Sequence, residues 1–364
     1  MSSLTQPTSL ILLTSSQAPL PTRYPHPHKP RSVIPPLVHR TLHNALDPKS
    51  PTSGSSSPTS SSPGFLINDH GALIIPHPDS IVKHDIPPTT SNGTPPLPSQ
   101  LENHADTNMT NDGITSEVDT ELTLKLHLVG SGSARERSQW VDEALDVLST
   151  YKGLGAGSVD TLLVGWKGVD YKGKKTAVSE FFGCGAEGLE GGGGGEEVSE
   201  EVEEDVKAVW GLIGENLGGG RVKRLGSMYL PLGVLKRLAG GEGGLQKPQI
   251  NMLDTPDCHH LPHEYSGFAK ENGIELWAGG GGEGADPLPD AELHNLLQEF
   301  SSALNLSTSI PALIPLRADE LKYDLASPEA AQAGVKVKWV LGYTVLSKAR
   351  NVVKDRGYII SASF

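Results

Sequence analysis

Cys258-His259-His260 and His263 bring one thiol and three imidazoles within six residues of chain. Thiolate and imidazole are good zinc ligands, so metal binding is the first chemistry to weigh. The pattern stops short of it. The chain has two cysteines, Cys184 and Cys258, and no second cysteine lies near enough to complete a familiar zinc spacing. His39 and His43 sit one helical turn apart, but in a distant segment with no Glu between them. We expect no metal centre and read the Cys258 cluster as loop packing or a subunit contact around Pro262. Phosphate chemistry is no better supported. The tracts Gly191–Gly195 and Gly279–Gly282 lack the Lys-Ser/Thr ending of a P-loop. Asn92-Gly93-Thr94 and Asn108-Met109-Thr110 fit the glycosylation pattern, which arises readily by chance. Lys125 is a lone charge in an alternating apolar run, either a functional amine or a solvated edge.

Such side chains need elements to hold them, and the hydrophobic pattern supplies these. Residues 1–46 predict a strand at 9–15, a Pro-rich stretch from Pro19 to Pro36, and a short helix carrying Val38, Leu42, Ala45 and Leu46. Residues 47–115 are rich in Ser, Pro, Thr and Asn and cannot bury enough apolar surface to offset their chain entropy. We expect a mostly disordered insertion there, with one island at 64–78 whose apolar runs flank the turn residues 68–71 as in a hairpin. From about 116 to 364 strands and helices alternate. Strands are expected at 122–129, 159–164, 221–225, 249–253, 274–278 and 339–346, the last closing the series. Helices are expected at 135–151, 232–238, 262–272 and 290–304, and another carries Val198, Val202, Val206, Val209, Trp210 and Ile213. A Gly- and Glu-rich surface loop occupies 183–204. Strand–helix alternation of this kind predicts an α/β fold with parallel strands.

The bulk composition narrows the function classes. The formal net charge is −13 with no long Lys/Arg run, which disfavours nucleic acid as a partner. Two cysteines are too few for a disulfide framework, so a reduced cytoplasmic setting is expected. No stretch approaches the roughly 20 apolar residues of a membrane span. The apolar run Leu10–Leu13 is preceded by no Lys or Arg and is short for a signal peptide.

Three segments carry a resemblance to the aldo-keto reductase superfamily. Ser158–Trp166 is similar to its fourth barrel strand, Val-Asp-Leu-x-Leu-x-His-Trp; Arg221–Gly226 resembles the strand after the next helix. Lys247–Leu253 with Leu261-Pro262 and Phe268–Ile274 resembles the strand and helix that follow. Within that superfamily, Asp257–Pro262 ahead of Phe268-Ala269-Lys270 is similar to the modifier (regulatory) subunits of glutamate–cysteine ligase. So is the ending Trp339–Tyr343, Ser347–Arg350 and Lys354–Ile360. The resemblance implies an aldo-keto reductase-like TIM (β/α) barrel, irregular at its first strands. It implies a regulatory subunit that forms a heterodimer with the ligase catalytic subunit and raises its efficiency in glutathione biosynthesis, chiefly by improving glutamate binding and relieving glutathione feedback. Cys258 matches a cysteine position of that family, which makes an intersubunit or redox role a hypothesis.

The same resemblance implies that the reductase chemistry is lost. Gly165 stands where the strand motif has His, Met252 where Gln would bond the nicotinamide carboxamide, and Gly279 where an aromatic ring would stack. A thioether cannot donate that hydrogen bond. The stretch 47–115, where the catalytic Tyr motif should lie, contains no Tyr; general acid–base help is typically worth roughly 10²–10⁴-fold. Lys125 alone matches the superfamily's Lys. Lys348 and Arg350 resemble the cations that clamp the 2′-phosphate of NADPH, or serve a partner's acidic surface. The expectation is a pseudo-enzyme with no cofactor. The rival readings are an NADPH-dependent aldo-keto reductase, which needs a Tyr beside Lys125, and a non-catalytic NADPH-binding protein, which needs Lys348 and Arg350 to face an open groove.

Overall fold

A computed structural model describes residues 7–14, 34–46, 64–84, 120–154, 159–169, 198–217, 220–241, 244–253, 263–278, 285–304, 334–348 and 352–364. In chain order these form β1 (Ser9–Leu13), α1 (Ile34–Leu46), β2 (Leu66–Ile67), β3 (Ala72–Ile75), β4 (Thr120–Leu128), α2 (Ala134–Lys152), β5 (Val159–Trp166) and α3 (Glu200–Leu217). There follow β6 (Val222–Met228), α4 (Leu232–Ala239), β7 (Ile250–Leu253), α5 (His263–Glu271), β8 (Glu275–Ala278), α6 (Asp290–Glu299), β9 (Lys336–Ser347) and β10 (Val352–Ser363). The strands make one ten-stranded sheet in the order β2-β3-β1-β10-β9-β4-β5-β6-β7-β8.

The half running from β4 to β8 is parallel throughout. Its strands read as near-continuous apolar runs because both faces are covered. Leu122, Leu124, Leu126 and Leu128 of β4 and Leu162, Val164 and Trp166 of β5 alternate onto one face. They share a core there with Val141 and Leu148 of α2, Trp210 and Ile213 of α3, Leu235 of α4 and Tyr265 of α5. The four helices that connect the parallel strands thus all return on the same side. The other face carries a second core, in which Leu10, Leu12, Leu73, Val340 and Ile360 pack under Ile34, Val38 and Leu42 of α1 and Leu293 and Leu297 of α6.

The closed barrel implied by the resemblance needs correction: among the described residues no pairing joins β8 to β2, and the sheet is open. The physical cause lies in β9 and β10. These strands, twelve residues each, form an antiparallel hairpin that pairs β4 on one side and β1 on the other. The hairpin occupies the position beside β4 where a parallel barrel strand would lie. Helices α1 and α6 pack on the other face of β1, β3, β9 and β10.

The strand expected to close the series is likewise not the last. Residues after Ser347, read as a short Lys/Arg element, run on as β10 at the middle of the sheet. The hairpin expected at 64–78 is present, with Leu66 opposite Ile74, and is held in the sheet by β3 lying parallel to β1. Residues 47–63 and 85–115, and 183–197 of the Gly/Glu-rich loop, lie outside the described residues. No described helix is long and apolar enough to cross a membrane.

Candidate functional site

In open parallel sheets and in barrels alike, ligands meet the carboxyl ends of the strands. Here those ends belong to β4–β8. On β4, Lys125 and His127 share the face opposite the connecting helices, since side chains alternate along a strand. Register places Lys125 beside Leu163 and His127 beside Gly165 of β5. His127 is 1 % exposed, and its ring centroid lies 6.3 Å from that of Tyr229. Tyr229 is also buried, with φ 61°, an unusual conformation for a bulky residue. Its amide donates to the Met252 carbonyl at 2.7 Å, which pins the turn after β6 to β7. Leu163, Met228, Tyr229, Ile250, Met252 and Ala285 form the small core beneath.

Gly165 has a packing reason as well as a chemical consequence. A Cβ at this position would meet Met228 Cε at 3.0 Å and Met228 Cβ at 3.3 Å. The space into which a histidine of the strand motif would project is filled by a thioether. Sequence pattern by itself does not mark His127 as functional. The alternation Leu124-Lys125-Leu126-His127-Leu128 does put it on the face of Lys125. Among the described residues both rings are closed off from solvent, His127 at 1 % and Tyr229 at 2 % exposure, with Met228 packed beside them.

A second cluster collects the residue types of reductase chemistry elsewhere. Asp355 of β10 accepts an ion pair from Lys152 at 2.9 Å, and His84 Nε2 lies 2.8 Å from the same carboxylate oxygen. The Tyr343 hydroxyl donates to it at 3.4 Å, and the Lys152 ammonium sits 5.3 Å from the Tyr343 ring centre. These side chains lie on the helix side of the β9–β10 hairpin, and Tyr343 is opposite Leu124 in mid-strand. Burial, and then the Asp355 carboxylate, hold the phenol well above its ordinary range. A phenol so held is a poor proton donor. The cluster instead fastens the C-terminus of α2 and His84 to the hairpin; the His84 amide donates to the Lys152 carbonyl at 2.7 Å.

Asn251, next to Met252, faces the helices. Its amide donates to the Tyr265 hydroxyl at 2.6 Å and accepts from Ser227 at 2.9 Å. Lys348 lies at the amino ends of the parallel strands, 3.9 Å from Asp160, a residue that also pairs with Lys223 at 2.8 Å. Lys125 and Lys348 are therefore not brought together. Arg350, Cys184, Cys258 and Gly279 lie outside the described residues. Among the described residues no group of three or more His, Cys, Asp or Glu is arranged to hold a metal.

No family model matches the chain, and no solved structure matches it. Over 116 residues it is 28% identical to the glutamate–cysteine ligase regulatory subunit of Rattus norvegicus, a stretch that is 32% of this chain and 32% of the rat protein. The similarity thus spans about a third of the length of that curated relative.

Proposed function

We propose that this chain is a regulatory subunit of glutamate–cysteine ligase, which binds the catalytic subunit and raises its efficiency in making γ-glutamylcysteine. The observation that carries the reading is the 28% identity over 116 residues to the rat regulatory subunit. The motifs at 257–262 and 339–360 support it. In this reading the chain works in the cytoplasm as one half of a heterodimer and catalyses nothing itself. The parallel β4–β8 unit, with its connecting helices on one face, is the remaining half of an aldo-keto reductase-type barrel. Gly165 under Met228 and the buried His127–Tyr229 pair favour a site that has been packed shut. Regulation is then a coupling free energy: the chain binds the active form of its partner more tightly than the feedback-inhibited form. The test is a steady-state assay of the cognate catalytic subunit with and without this protein, varying glutamate and glutathione. A lower apparent KM for glutamate or weaker glutathione inhibition is expected; unchanged kinetics with no complex on gel filtration would reject the reading.

One observation favours the reductase alternative, namely that Tyr229 and His127 lie together near the carboxyl ends of the parallel strands, on the face of Lys125. That reading requires NADPH binding, visible as quenching of protein fluorescence, and carbonyl-dependent NADPH oxidation abolished by Tyr229→Phe. The absence of both would remove it.

A further inference from the structure

We draw no further inference here: the strongest candidate, the Lys167–Asp286 ion pair beyond the carboxyl end of β5, where among the described residues Asp286 Oδ1 is buried without a hydrogen-bond partner, borders residues 279–284, which lie outside the described residues, so nothing in the structure shows what covers it.

Discussion

Lys152 shows how far a single buried charge is committed to structure here. It is 3 % exposed, and its partner Asp355 is 6 % exposed. Removing one member of a buried pair leaves the other uncompensated, a loss of about 3–5 kcal/mol in stability. Lys152→Met should therefore cost about 3 kcal/mol, with His84 supplying part of the compensation for Asp355; urea unfolding of the two proteins measures it. Tyr343 gives a pH signature. Its folded pKa is raised above the unfolded value, so the neutral phenol's contribution is fully present below about pH 10 and is lost as pH rises further. Midpoints of thermal unfolding should fall above about pH 10, and Tyr343→Phe should flatten that fall while leaving the curve near neutrality almost parallel. Gly165 is a third commitment. Gly165→His would place an imidazole in the space held by Met228, and no gain of carbonyl reduction is expected from it unless Met228 is also made small.

The elements owe their limits to identifiable residues. Helix α2 begins at Ser133, which accepts from the Glu136 amide while the Glu136 carboxylate accepts from the Ser133 amide at 2.8 Å, a complete capping box. It ends at Gly153 in a left-handed conformation, φ 69°, where a Cβ would meet the His84 carbonyl at 2.4 Å. Ser133→Ala should cost about 1 kcal/mol, seen as a melting point lower by about 2–4 °C for a domain of this size. Strand β6 passes between its neighbours at Gly226, where a Cβ would lie 2.6 Å from Leu163 and 2.8 Å from Ile250. Gly226→Val should separate β5, β6 and β7 and lower expression of folded protein, a larger effect than loss of the cap. Helix α3 is tied to α4 across a buried Glu203, 2.6 Å from Arg237 and 3.5 Å from Lys207. Together with the Arg137–Asp205 pair to α2, this holds the helical layer over the parallel strands.

For the molecule as a whole, β10 is the strand on which the two halves depend. It alone among the described strands connects β1, β3 and β2 to β9 and the parallel half. Ile359 packs in one core and Ile360 in the other, so the strand is buried on both faces there. A chain ending at residue 351 should lose cooperative unfolding in circular dichroism, although it removes only a short C-terminal piece.

Local pattern carried much of the architecture. The alternating run at 122–129, the apolar run at 159–164, the helical spacing around Trp210, the stop at Gly273 and the hairpin at 64–78 all depend on interactions a few residues long, and they are where the pattern puts them. The α/β class follows from their alternation. The pairing order does not, because it depends on which edges meet after the chain has returned from afar. Nothing short-range in Val352–Ser363 says that it joins β1, more than three hundred residues earlier, or that it leaves the sheet open. The site divides in the same way. The loss of His at 165 is a property of one position and was legible there. That Met228 fills its space, that His127 meets Tyr229, and that Lys152, Asp355, His84 and Tyr343 converge depends on contacts between segments whose separation in sequence carries no periodic signal.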